Sequence, residues 1–428
     1  MTQSITILTD VAFIMLHFFV LLFSYQALGK KVAQPAVLFS LVWFVIILLH
    51  FICKFTLLNQ LEPLRPSTYI IFLTGTIFFS AGSFLVQQYL NSKPVLQQAS
   101  NHPTTGLQTS QLFRIASVLI ILLGLPLYIR AAFQIFLASQ AEDFFMGLRY
   151  ELSYGDADIG PLKYLMPLAY VVFAFNLLAY FNKRSWLNAG LLLLTFLLVA
   201  TYAVFSTGRT YFFMILSVYL GISFLTNPRF SIRRSVTSLV LFGLLFMLVG
   251  IIYGKGGNTD ETVKDNIRSA SEALGVYLVS GLNALDIETA TPIREYAGGD
   301  NTFRFFIKAA MQLKLMPQRP IVDLKHEFVF VPYATNVYTY YSPYIADFGK
   351  LFAWLMLALY GAVHTWLYHI AATVKSKRSV FYYTFLLFPL FLSFFSDLYL
   401  TLFSFWLQLV FFTELLLYAN KYFIAKKW

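Results

Sequence analysis

The chain has 428 residues, 58% of them hydrophobic and 12% charged, and a formal net charge of +11. Soluble domains carry roughly 45–50% apolar and about 25% charged residues, so this composition excludes an ordinary soluble protein and points to an integral membrane one. The one cysteine, Cys53, excludes an internal disulfide and a thiolate metal cluster.

Apolar runs long enough to cross a bilayer are expected at 5–28, 36–58, 68–90, 112–138, 162–181, 186–206, 210–227, 235–253, 349–372, 380–397 and 401–420. That is about eleven spans, within a range of roughly ten to thirteen. No Lys or Arg and no small-residue cleavage site precede the first run, which is read as a span and not as a removed leader. The fourth run is overlong and holds Pro126, and the last two form a hairpin around Asp397. The segment 91–111, with Pro94, Pro103 and several Gln and Ser, reads as a flexible loop. Residues 139–161 form a second polar loop and 254–343 a long one. The expected fold is all-α: one polytopic membrane domain over 1–428, with short interfacial helices in the long loop.

Charge placement gives a sidedness, because short cytoplasmic loops collect Lys and Arg. Alternate loops carry Lys30 and Lys31, Lys93, Lys183 and Arg184, Arg229 with Arg233 and Arg234, Lys375 with Lys377 and Arg378, then the basic tail, and none of them holds an acid. The acids fall in the opposite loops: Glu142, Asp143, Glu151, Asp156 and Asp158, then ten more between Asp260 and Glu327. The N-terminus and the long loop are therefore expected outside the cell, with 91–111 and the C-terminus in the cytoplasm. The net positive charge follows from this rule and gives no reason to expect a nucleic-acid partner.

Within the long loop, Asp260 to Gly275 has helical composition, and Val276 to Leu285 is apolar enough to lie against the bilayer or dip into it. From Thr302 to Met316, Arg304, Lys308 and Gln312 recur at helical spacing among Phe303, Phe305, Phe306 and Ile307, the pattern of an interfacial helix whose basic face suits headgroups or a lipid-linked phosphate. At the loop's end Tyr333, Tyr338, Tyr340, Tyr341 and Tyr344 alternate with Thr335, Asn336, Thr339 and Asp347. Tyr concentrates at membrane interfaces, but rings beside amide and carboxylate groups also match a sugar, apolar on its faces and polar around its edge.

Arg209, in Ser206-Thr207-Gly208-Arg209-Thr210, joins two spans with almost no loop, so its charge is held close to hydrocarbon. It either snorkels or pairs, or it clamps a diphosphate, for which a guanidinium fork is suited. Arg149 is a second candidate, with Glu142, Asp143 and Glu151 nearby as alternative partners. His326 and Asp347 are the candidate proton acceptors, each equally able to serve in an ion pair. P-loop, dinucleotide-glycine, His-Glu-x-x-His and Gly-x-Ser-x-Gly patterns are all missing.

Several of these elements, in this order, resemble bacterial O-antigen polymerases of the Wzy type, the oligosaccharide repeat unit polymerases. They are Ser-Thr-Gly-Arg-Thr at the start of a span; Tyr277-Leu278 and Gly281-Leu282-Asn283-Ala284; Tyr296-Ala297-Gly298-Gly299 with Thr302-Phe303; and Pro332 to Gly349 ahead of a span with Gly361. The resemblance implies a multi-span, glycosyltransferase-C-like fold and an enzyme of the bacterial inner membrane, with no metal or cofactor. Its substrates would be undecaprenyl-diphosphate-linked oligosaccharides, with a chain-length regulator protein as a possible partner. The growing glycan would pass to the non-reducing end of a newly flipped repeat unit at the periplasmic face. Mapped onto this chain, Arg209, Asp347 and His326 would be catalytic, and Arg149, Arg304, Asn336, Tyr338 and Tyr341 would bind substrate. The alternatives are an O-antigen ligase, with lipid A core as acceptor, and a transporter or flippase for lipid-linked sugars. Against a transporter, no half of the sequence resembles the other.

Overall fold

The structure, a computed structural model, describes residues 2–92, 109–153, 155, 157–226, 237, 243, 263–291, 295–322, 328–331 and 333–425. In chain order its helices are α1 (Thr2–Ala27), α2 (Pro35–Phe55), α3 (Pro66–Asn91), α4 (Gln111–Ser139), α5 (Phe144–Ser153), α6 (Leu165–Asn182), α7 (Trp186–Phe205) and α8 (Thr210–Thr226). They continue as α9 (Val263–Glu288), α10 (Arg304–Gln312), α11 (Tyr341–Phe348), α12 (Lys350–Thr373), α13 (Lys377–Phe391) and α14 (Phe403–Ala425). Among the described residues the exception to helix is a two-residue antiparallel hairpin, β1 (Val329–Phe330) with β2 (Ala334–Thr335).

Among the described residues eight helices are long and apolar enough to cross a membrane: α1 to α4, α6 with the 3-10 turn Gly160–Tyr164 before it, α7, α12 and α14. The protein is a multi-pass membrane protein. The sequence reading of about eleven spans exceeds this number for identifiable reasons. The α13 helix has 15 residues, short of a full crossing; α8 is described over 17 residues up to Thr226, where the described residues stop; and the run at 235–253 lies outside the described residues apart from 237 and 243. The α13 helix carries Pro389 in its last turn and stops at Phe391, where a continuous run to 397 is expected.

Of the expected loops, 91–111 falls largely outside the described residues. The 139–161 loop holds α5, and the long one holds α9, α10, the hairpin and the start of α11.

The chain divides into two compact units: Met1–Gln98, Ser271–His369 and Phe388–Ser404 in the first, and Ala99–Ala270, Ile370–Leu387 and Phe405–Trp428 in the second. In the first, Asp10 of α1 is buried and receives Lys54 Nζ from α2 at 2.7 Å and the Tyr69 hydroxyl from α3 at 2.9 Å. Ser24, Ser40 and Ser80 tie the same three helices again, with 3.0 Å between the hydroxyls of Ser24 and Ser80. Between helices in lipid, close backbone approach through small residues replaces the hydrophobic effect as the driving force. The α3–α12 contact is built this way: a Cβ at Gly82 would lie 1.9 Å from the Ala358 carbonyl, and one at Gly361 2.0 Å from that of Phe79.

In the second unit α6 is apolar and buried nearly all round, the mark of a central helix. Its Tyr170 donates to the Tyr211 carbonyl of α8 at 2.9 Å. The overlong α4 is continuous through Pro126, and beside the proline the Tyr202 hydroxyl donates to the Ile121 carbonyl at 2.7 Å.

Candidate functional site in the long polar segment

The long polar segment folds onto the first unit through its own motifs. The apolar run expected to lie against the bilayer is the C-terminal half of α9, a single helix that also takes in the mixed-charge stretch before it. Val279, Leu282, Ala284 and Leu285 are fully buried, and Val279 clusters with Cys53, Leu58 and Leu61. Polar ties fix the helix in place: Asn283 bonds His50 at 2.8 Å and donates to the Glu62 carbonyl at 2.8 Å, while Asp286 pairs with Arg65 at 2.9 Å and also accepts from Thr68. Gly281 admits the neighbouring segment closely, since a Cβ there would meet the Phe394 carbonyl at 3.2 Å and Val337 at 3.3 Å. One residue earlier, Ser280 donates to the Thr335 hydroxyl at 2.9 Å.

Asp347 is fully buried at the end of α11. One carboxylate oxygen accepts from Asn301 twice, at 3.2 Å from its backbone N–H and 2.8 Å from its side chain; the other accepts from the Thr302 N–H at 2.6 Å. The Ala297 N–H donates to the Ala346 carbonyl and the Gly298 N–H to that of Asp347. Asp347 therefore clasps the 297–302 turn. Gly349 follows with φ at +84°, a conformation that favours glycine.

The Tyr-rich stretch is mostly interior. Tyr340, Tyr341 and Tyr344 are fully buried. Tyr341, expected at a sugar, packs its ring on Trp43 and Phe72 at 5.5 Å each and lies against Gly75. Tyr344 bonds the Tyr360 hydroxyl at 3.0 Å, and Tyr360 stacks on Tyr399 at 4.0 Å. Asn336 is half-buried and Tyr338 nearly buried, and both precede this cluster. On α10, Arg304 is half-buried while Lys308 and Gln312 are exposed, and Phe305 and Phe306 pack on Phe403. His326 lies outside the described residues.

Two acids that the sequence reading does not assign to the site stand out here. Glu288, the last residue of α9, accepts from the Ser342 hydroxyl at 3.0 Å through one carboxylate oxygen. The other oxygen is buried and has no hydrogen-bond partner among the described residues. Burial pushes the Glu288 carboxyl above its usual range, and the Ser342 bond opposes that. The signal in the sequence is an acid continuing the helical stripe of Gly281, Ala284 and Leu285. Asp397, in the turn before α14, is fully buried and accepts from the N–H groups of Tyr399, Leu400 and Thr401 at 3.0–3.3 Å. Burial nonetheless pushes its carboxyl up to about 6, against those bonds.

The candidate arginines of the second unit stand apart from this description. Arg209 is buried immediately before α8 and follows Thr207, whose φ of +57° is unusual for a β-branched residue. Arg149 is half-exposed on α5, whose buried face is Gly147 and Leu148.

These features define a helical multi-pass membrane protein with a motif-rich polar segment folded against its spans and a half-buried carboxyl at its centre. Over 221 residues the chain is 29% identical to an O-antigen polymerase of Shigella dysenteriae, covering 51% of this chain and 53% of that protein. The chain thus spans about half the length of the curated relative it matches. No protein-family profile matches the chain, and no solved structure does.

Proposed function

We propose that the protein polymerises lipid-linked oligosaccharides into O-antigen or a related surface polysaccharide. The growing glycan on undecaprenyl diphosphate passes to the non-reducing end of a new lipid-linked repeat unit at the periplasmic face of the inner membrane. The observation that carries this reading is the similarity over half the chain to a protein named an O-antigen polymerase. On this reading the chain is a lipid-dependent glycosyltransferase of the multi-span C type.

The donor's anomeric carbon is already activated by its diphosphate. What remains is to align two lipid-linked glycans, to take a proton from the acceptor hydroxyl, and to stabilise charge on the departing diphosphate. Glu288 is the group we assign to the proton: its open buried oxygen is an acceptor, and its raised pKa brings it nearer to the operating pH. Arg209, beside a strained Thr207 at a helix start, and Arg149 are assigned to the diphosphate. Asn336 and Tyr338 are assigned to the sugar, and Arg304 to the phosphate of a lipid-linked glycan. Asp347 and Tyr341 hold this segment in place, and His326 is retained as a second proton acceptor.

Reconstitution with a purified lipid-linked repeat unit tests the reading, with products resolved as a ladder on a gel. Wild type should extend the substrate to longer chains, and Arg209→Ala should not. A wild type that extends nothing overturns the polymerase reading, and a ladder from Arg209→Ala equal to that of wild type removes Arg209 from the site. In cells, deletion should leave lipid A core capped with single repeat units; bare core would instead indicate a ligase.

A further inference from the structure

The cavity described here lies far in sequence from the polar segment. It belongs to the second unit, at the ends of α4, α6, α7 and α8 that the charge rule places in the cytoplasm. Its volume is about 660 Å³, within the range of small-molecule sites. Arg114, Lys183 and Lys375 line it, and no carboxylate does among the described residues.

Arg114 sits in the first turns of α4 and is 4% exposed. Its guanidinium donates to the side-chain carbonyls of Asn188 at 2.7 Å and Asn176 at 3.4 Å. Both amides are locked in turn: Asn176 donates to the Val172 carbonyl and Thr195, and Asn188 to the carbonyls of Ala179 and Lys183. The fork is therefore held rigidly, but by neutral groups alone, and Nε has no hydrogen-bond partner among the described residues. A buried guanidinium without a counter-charge is costly, and guanidinium geometry matches phosphate oxygens. The starts of α4 and α7, capped by Ser110 and Ser185, bring further N–H groups to the same end.

We propose that this cavity binds a phosphate-bearing anion, with Arg114 as its buried anchor and Lys183 and Lys375 as its exposed rim. The proposal does not rest on the polymerase reading. The ligand chemistry is a phosphate ester or diphosphate, whose source is either soluble or the headgroup of an anionic lipid.

Two probes separate the sources: pyrophosphate titrated into the detergent-purified full-length protein by calorimetry, and phosphatidylglycerol retained by the protein from mixed phosphatidylcholine nanodiscs, read by native mass spectrometry. Wild type should bind at least one probe. Lys183→Gln with Lys375→Gln should weaken that binding about tenfold, and Lys163→Gln, which removes an exposed charge of the same unit before the start of α6, should leave it unchanged. Arg114→Gln should abolish it; because a buried substitution can also unfold the helix end, the lysine pair decides. Pyrophosphate binding alone supports a soluble ligand, and phosphatidylglycerol retention alone supports a headgroup. Binding of neither probe, or wild-type affinity in the lysine pair, overturns the proposal.

Discussion

Asp347 and Glu288 are both acids of the long polar segment set into the first unit, and the structure uses them in opposite ways. Asp347 sits in the most distinctive motif, yet three donors from Asn301 and Thr302 occupy its two oxygens. Glu288 sits at an inconspicuous helix end with one bond from Ser342 and one buried oxygen open. A saturated carboxylate has little capacity left for a substrate proton, whereas an open one does. The lesson is that a motif can mark where a segment is fastened, while the reactive group lies beside the fastening.

The sharpest way to break the comparison is Glu288→Gln, which keeps the shape and the Ser342 contact but removes the base. Loss of a general base costs about 10²- to 10⁴-fold in rate. Chain extension by the reconstituted variant should fall by that much while its melting temperature stays near that of wild type. Full activity would return Glu288 to a structural role.

Asp347→Ala probes the other side. It orphans the buried N–H group of Thr302, at about 1–3 kcal/mol, and the part-buried one of Asn301, which costs less. Melting should drop by several degrees, and activity per folded molecule should change less than tenfold, about 1.4 kcal/mol. A stable variant that is a hundredfold slower would instead make Asp347 the reactive acid.

Much of this contrast could not be read from the chain. Apolar periodicity located the spans from 5 to 206 closely, because bilayer thickness sets their length. It failed at α13, which carries Pro389 in its last turn and ends at Phe391 inside an apolar run. Composition also put Val276–Leu285 against lipid, since a helix buried in protein and one facing hydrocarbon have the same apolar content; only the partners Cys53, Leu58 and Leu61 separate them. The Tyr cluster failed for a related reason. Tyr suits an interface, a sugar or a membrane-protein interior, and Gly75, which makes room for Tyr341, lies 266 residues earlier in the chain.

Asp397 supplies an intermediate case, saturated by backbone N–H groups and yet raised in pKa from 3.8 to about 6 by burial. A carboxyl whose folded pKa lies above its unfolded one stabilises the fold fully below about pH 4, and that contribution is lost as pH rises through about 6. The full shift is worth roughly 3 kcal/mol. Melting of the purified protein should therefore decline across this window, and Asp397→Asn, which cannot ionise, should flatten the decline whatever its absolute stability. An unchanged slope would place the titrating group elsewhere.

Ser342→Ala is the smallest perturbation and tests how Glu288 is tuned. The hydroxyl donates to the carboxylate, so it favours the ionised form and lowers a pKa that burial raises. Removing it should move that pKa further up. A base works when ionised, so chain extension should rise with pH through the Glu288 pKa, and in the variant that acid limb should shift to higher pH with the plateau rate nearly unchanged. A limb that stays in place while the plateau falls would mean that Ser342 contacts the substrate and leaves the ionisation of Glu288 alone.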